Sequence, residues 1–209
     1  MVRMGSDIPD EAGLSARRRP KGDKRARTRA ALVDAARGII REQGYEALTL
    51  ASVAERAGMT TGAIYGNFKN RTDLLMAVAE VSGAPIIART WPGMSFRELM
   101  RSLAEAVIEA LPQRRAAMVG TLGFHIQSLT HQDLHERSLA ETQEIYRRMA
   151  AGTVQLIEAD KLPMPAELLI PVTHALIDGL VLHAILTPEL VPDEVIYAAF
   201  AALAAGGPE

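Results

Sequence analysis

The chain contains no cysteine, which excludes disulfides and thiolate-held metal sites. Aromatic residues are scarce, with four Phe, four Tyr and a single Trp in 209 residues, so any core must be built from aliphatic side chains and alanine. Sustained alternating β-branched runs are missing as well, and the abundance of Ala and Leu points to an all-α protein. The N-terminus lacks the apolar run of a signal peptide. One stretch, Ala166 to Leu186, is long and apolar, but Glu167, His174 and Asp178 interrupt it. A charge at a bilayer centre costs at least ~2.5 kcal/mol, so the expectation is a cytoplasmic protein without a membrane partner. Four motifs are also absent: the G-x-S-x-G elbow, the Walker loop, the dinucleotide glycine fingerprint and H-E-x-x-H. Their absence leaves no recognisable route to hydrolase, nucleotide-dependent or zincin chemistry. No cofactor is expected.

What is present is unevenly spread. The formal net charge is −2, yet residues 14–76 hold 13 Lys or Arg against 6 Asp or Glu, and residues 81–209 hold 9 against 15. Attraction to phosphate depends on local charge density, so a basic first third on an acidic remainder suits a chain that presents one end to nucleic acid. Residues 1–22 read as a disordered basic arm. They are mostly polar, without a helical apolar stripe, and carry the run Arg17-Arg18-Arg19-Pro20-Lys21, which can follow a phosphate backbone or enter a minor groove.

Apolar spacing then predicts about nine helices. The first covers Asp23 to Gln43, with Leu32, Ala35, Ala36, Ile39 and Ile40 facing inward and Gly44 ending it. Thr49 can cap a second helix, whose apolar face is Leu50, Val53, Ala54 and Ala57. Gly58 stands where a helix C-terminus needs a left-handed residue. Thr60 or Thr61 can cap the next helix, and Ile64 and Phe68 return its face to the core. Two short helices joined by a glycine turn form a helix-turn-helix, so residues 23–70 read as a DNA-binding domain.

The fourth helix begins at Asn70, with Asp73 three residues on, and runs to about Val81 before Ser82-Gly83-Ala84-Pro85. Ser95 and Glu98 make a capping box for a fifth helix, Phe96 to about Leu111, and Pro112 separates it from a sixth, Gln113 to Leu129. A seventh spans Asp133 to Ala159, an eighth Ala166 to Leu186 and a ninth Asp193 to Ala205, with breaks at Pro163-Met164-Pro165 and between Pro188 and Pro192.

From Thr28 to Leu75 the chain resembles the TetR family of transcriptional regulators without a gap. The resemblance rests on Arg29, Ala35-Ala36, Gly44-Tyr45, Thr49, Ala54, Ala57-Gly58, Gly62, Tyr65, Phe68 and Leu74-Leu75. Three positions depart from the family pattern: Asn67 stands where histidine or tyrosine is usual, Gly66 where a larger residue is common, and Arg71 where lysine is usual.

Helix-turn-helix geometry puts Met59, Thr60, Thr61, Gly62 and Ala63 at the major groove. The resemblance implies phosphate contacts from Thr49, Tyr65, Asn67 and Lys69, and a DNA-side role for Arg29. It also implies that residues 71–209 bind a small effector and dimerise. The expected effector lining is Trp91, Met100, Leu103, Met118, Leu122, Phe124, His125, Tyr146 and Met149, mostly apolar or soft walls. The expected dimer face is Leu169, Val172, Leu176, Gly179 and Leu180 with Ala199 of the last helix, where Ile177 to Leu186 resembles the family's dimerisation helix. His174, Asp178 and His183 are expected to make hydrogen bonds at that interface.

The implied function is a ligand-responsive regulator, a repressor first, that binds a palindromic double-stranded operator as a homodimer. The fourth helix is the expected link between effector and head. Two other readings stay open from the residues. One is an architectural DNA binder without sequence preference. The other is a helical metalloenzyme or metal sensor on His131 and His135, whose four-residue spacing can bring two imidazoles to one metal.

Overall fold

The computed structural model describes residues 21–80 and 85–206. Among them there are eight α-helices and no strand: α1 (Lys21–Gln43), α2 (Leu50–Arg56), α3 (Thr61–Tyr65), α4 (Arg71–Glu80), α5 (Phe96–Thr130), α6 (Gln132–Leu156), α7 (Ala166–Leu186) and α8 (Asp193–Ala205). Short 3-10 turns lie at Tyr45–Ala47 and Ala159–Lys161. The arm before residue 21, and the expected break at Ser82 to Ala84, lie outside the described residues.

The count of nine becomes eight because Pro112 does not divide the fifth and sixth expected helices. Both belong to α5, which carries Pro112 in its interior. Proline removes one backbone donor and crowds the preceding turn, but it does so at a single step. Packing on both sides holds this helix together, with Leu99, Met100, Val107 and Ala110 buried before the proline, and Met118, Phe124 and Gln127 packed after it. Pro171 is tolerated inside α7 in the same way.

Two cores organise the chain. Leu32, Ile39 and Ile40 of α1, Val53 of α2, Ile64 of α3, Phe68, and Leu74, Leu75 and Val78 of α4 close one of them. The fourth helix, grouped by sequence with residues 71–209, thus has its side chains in the core of the head. The second core unites α5, α6, α7 and α8 around Met100, Val107, Leu169, Ile196 and Phe200. Leu134 of α6 sits in the head's core instead, at 1% exposure, so the body drives one leucine into the head. Fully burying such a side chain is worth about 1.5–3 kcal/mol.

The long apolar α7 has the length and composition to cross a membrane. Here one face, with Leu169, Ile170, Thr173, Val181 and Ala184, is packed into the body.

Candidate DNA-reading head and effector cavity

The head is shaped by local hydrogen bonds. Thr49 caps α2: its hydroxyl accepts from Ser52 N–H at 3.0 Å, and Ser52 Oγ accepts from Thr49 N–H at 3.0 Å. At the other end Gly58 adopts φ 62°. Met59 N–H reaches Ala54 O at 2.9 Å, and Gly58 N–H reaches Glu55 O at 3.0 Å, the paired closure that a left-handed residue makes possible. Thr60, not Thr61, caps α3, accepting from Ala63 N–H at 3.2 Å. Asn70 Oδ1 accepts from Asp73 N–H at 2.8 Å, while the Asp73 carboxylate accepts from Lys69 N–H at 3.1 Å.

These bonds leave Thr49, Thr60, Thr61, Gly62, Tyr65 and Lys69 exposed and Ala63 half-exposed. Tyr65 is 59% exposed, so it is no core aromatic. Arg29 and Met59 are placed differently. The Arg29 guanidinium lies 4.5 Å from the centre of the Phe68 ring and donates to Asn67 O at 3.2 Å. Met59 packs half-buried against the head's core. Both support the turn that carries α3. Asn67 spends its amide on Ala63 O at 2.8 Å, and its Oδ1 is buried with no hydrogen-bond partner among the described residues.

The junction between head and body was not visible in the sequence. Arg71 Nε donates to Leu48 O at 3.0 Å, and its Nη2 donates to Tyr45 O at 2.8 Å and to Gln127 Oε1 at 3.1 Å. A lysine has no planar fork to span three acceptors in this way. Thr72 donates to the Asp133 carboxylate, and Arg137 pairs with Asp73 at 3.0 Å. Hydrogen bonds from the Lys69 backbone first, then from Arg137, hold the Asp73 carboxyl below its ordinary pKa. Tyr45 donates to Gly120 O at 2.5 Å. A Cβ on Gly123 would overlap the Tyr45 ring, so only glycine admits that aromatic. Burial pushes the Tyr45 phenol up to about 12, and it remains a donor at neutral pH. The expectation that head and body communicate through the fourth helix alone is therefore corrected: α5 touches the head directly.

A cavity of about 780 Å³ opens among α5, α6, α7 and residues 86–90. Of the nine expected lining residues, Met100, Leu103 and Met149 line it. The other six do not. Met118 packs against the body core and Phe124 against the head core. Leu122 and His125 are exposed on α5, and Trp91 is exposed in the loop beside Thr90, which does line the cavity. Tyr146 stands one side chain back, hydrogen-bonded to His174 Nδ1. The lining that sequence reasoning missed includes one wall from α7: Leu169, Ile170, Thr173, His174, Ile177 and Asp178. His174 and Asp178 were assigned to an interface, because periodicity does not say which face of an all-round apolar helix meets which neighbour.

The same helix corrects the expected dimer face. Leu169 is 2% exposed inside the subunit, so it cannot meet a second copy. Leu176 and Leu180 are half-buried against the body core, and Ala199 is half-buried on α8. The exposed stripe is Leu168, Val172, Ala175, Gly179 and Leu186, with Val195, Ala198 and Ala202 on α8. Val172 and Gly179 are the exposed members of the expected set.

The metal reading loses its basis. The His131 ring meets Gln127 O at 3.1 Å through Nδ1, and among the described residues no three His, Cys, Asp or Glu side chains converge to hold a metal ion.

Comparison with known proteins agrees with this architecture. Residues 32–78 match the family model described as bacterial regulatory proteins, tetR family. Residues 96–206 match the model described as BetI-type transcriptional repressor, C-terminal. The transcriptional regulator AcrR of Shigella flexneri is 27% identical over 146 residues, which are 65% of this chain and 67% of that protein. TtgR of Pseudomonas putida is 42% identical over 53 residues, a quarter of each chain. Among solved structures, a SmeT–triclosan complex superposes with a TM-score of 0.62 at 22% identity, covering 88% of this chain and 92% of that one, a likeness of fold. Matched along both the head and the body, with the body match alone spanning more than half of its length, the chain belongs to the TetR family of transcriptional regulators.

Proposed function

We propose that this regulator is an effector-released repressor that reads a two-fold symmetric operator as a homodimer in the cytoplasm. The observation that carries the reading is the continuity of α5. The helix walls the cavity with Leu99, Met100, Leu103 and Arg114, and it holds the head with Gly120, Gly123 and Gln127. At 1.5 Å per residue, Leu103 and Gly120 are about 25 Å apart along one helix. An occupant that shifts the first segment displaces the second, and with it Tyr45, Arg71 and the spacing of the two heads. Pro112 lies between them, where one backbone bond is missing and a helix bends most readily.

Exposed Thr61 and Gly62 and half-exposed Ala63, with Thr60 at the cap, are the base-reading set. Thr49, Tyr65 and Lys69 are the phosphate set, which fixes register without reading sequence. Arg29 and Met59 brace α3 from behind. The exposed stripe on α7 and α8 forms the dimer contact, a four-helix arrangement about a two-fold axis. Release requires the effector to favour the state that cannot bind DNA; a hundredfold fall in operator affinity corresponds to about 2.7 kcal/mol of coupling.

Selection of binding sites from random duplex DNA tests the reading. A palindrome with half-sites one helical turn apart, about 34–36 Å, is the expected product. Enrichment of no sequence would make the protein an architectural binder instead.

A further inference from the structure

The proposed effector cavity carries a chemical preference on its α7 wall. That wall is apolar at Leu169, Ile170 and Ile177 and polar at His174 and Asp178. The His174 ring is held from two sides. Its Nδ1 shares a hydrogen bond with the Tyr146 hydroxyl, and the two rings meet edge to face at 5.4 Å. Its Nε2 faces Asp178 Oδ2 across 3.7 Å. That gap is too long for a direct hydrogen bond, yet one atom can lie within hydrogen-bond reach of both groups. In the tautomer in which Tyr146 donates to Nδ1, the neutral imidazole carries its proton on Nε2 and offers a donor, while Asp178 offers an acceptor. A hydroxyl is the simplest group that answers both: its oxygen accepts from Nε2–H and its hydrogen goes to the carboxylate. In that tautomer an ammonium would have no acceptor for Nε2–H, and a carboxylate would meet Asp178 as a like charge. Arg114 lines the same cavity from α5 and already has an interaction of its own.

We infer that the effector is a hydroxyl-bearing apolar molecule, a phenol or alcohol, whose hydroxyl docks between His174 and Asp178 while its body lies along Leu169, Ile170 and Met100. This rests on the cavity being the effector site. A ligand hydroxyl that pairs with both groups binds more tightly than the analogue that lacks it.

Four matched probes test the inference on the full chain: para-hexylphenol, its methyl ether para-hexylanisole, para-hexylbenzoate and para-hexylbenzylamine. Binding is read by calorimetry and by emission of the single tryptophan, Trp91, next to lining residue Thr90. The phenol should bind at least about tenfold tighter than the ether. Asp178→Leu and His174→Phe should each abolish that margin while the ether still binds. Equal affinity of phenol and ether, or tighter binding of the amine or the benzoate, overturns the inference and leaves the cavity in place as the effector site. Gly152→Phe separates that outcome from a failure of the underlying reading. Gly152 lines the cavity, and a Cβ there meets nothing within 4 Å, so a larger side chain has room at its base to enter the space. Binding of the phenol unchanged by this filling, or no binding by any probe, places the effector elsewhere and overturns both.

Discussion

Thr60 and Thr61 are adjacent hydroxyls with different work. Thr60 closes the first turn of α3, so Thr60→Ala removes a cap and costs about 0.5–2 kcal/mol of stability in addition to any base contact. Thr61 is exposed without that duty. Thr61→Ala should leave the melting temperature unchanged, weaken the selected operator by roughly 1–3 kcal/mol and relax preference at particular positions. Lys69→Ala should weaken all duplexes about equally and lower the salt slope by about one unit. Operator titrations at several salt concentrations distinguish the two, and wild-type behaviour in both variants would take this surface off the DNA. Asp73 gives a pH prediction with a definite sign. Its folded pKa is depressed, so its contribution is present above the ordinary carboxylate pKa of about 3.9 and is lost as pH falls through the folded value. Wild type should melt above Asp73→Asn at neutral pH, and the difference should begin to shrink as pH falls below about 3.9 and vanish only below the depressed folded value; a gap that stays constant as the carboxylate is protonated would remove the ionised carboxylate from the cause. Caps such as Thr49, Thr60 and Asn70 were legible in the sequence because each acts within three residues of itself. Arg71 was not, because its acceptors at Leu48, Tyr45 and Gln127 lie 23, 26 and 56 residues away.

Helices were legible wherever capping and apolar period agreed, as at Ser95 with Glu98 or from Asp193 to Ala205. They were misread where one residue was asked to outvote a buried face, as at Pro112. The cavity lining was misassigned for a related reason. Spacing names the apolar positions on α5 and α6 but not their neighbours, and Phe124 met the head while Leu122 met solvent. The α5–head contact is the element on which the proposed switch depends, and Gly123 exposes it to test. Gly123→Ala forces a methyl against the Tyr45 ring, a crowding that costs about 1–3 kcal/mol. Its melting temperature should fall, and Tyr45→Ala should cancel most of the added loss, giving a coupling of at least ~0.5 kcal/mol in a double-mutant cycle. Additive effects of the two substitutions would mean that ring and helix do not press on each other.

The two cores, the basic head and the exposed apolar stripe all bear on the proposed homodimer. α3 is five residues long, and a single module of this kind buries only about 600–1,000 Å² on DNA, too little for a specific hold at physiological salt. The exposed positions Leu168, Val172, Ala175 and Gly179 follow one another at intervals of four, three and four residues, which keeps them on one side of α7, opposite the face packed into the body. Small Ala175 and Gly179 at its centre let a second helix approach closely. Val172→Glu sets a charge in that contact and leaves the subunit's own core untouched, since Val172 is 42% exposed. It should yield folded, helical monomers by sedimentation and circular dichroism, with operator binding reduced to the salt-sensitive, sequence-independent level. Leu169→Ala is the matched control three residues earlier. That side chain is inside the subunit, so its loss should cost about 2–5 kcal/mol of stability while the molecules that remain folded stay dimeric. Dimers in the Val172→Glu protein, or monomers in folded Leu169→Ala, would move the interface away from this stripe.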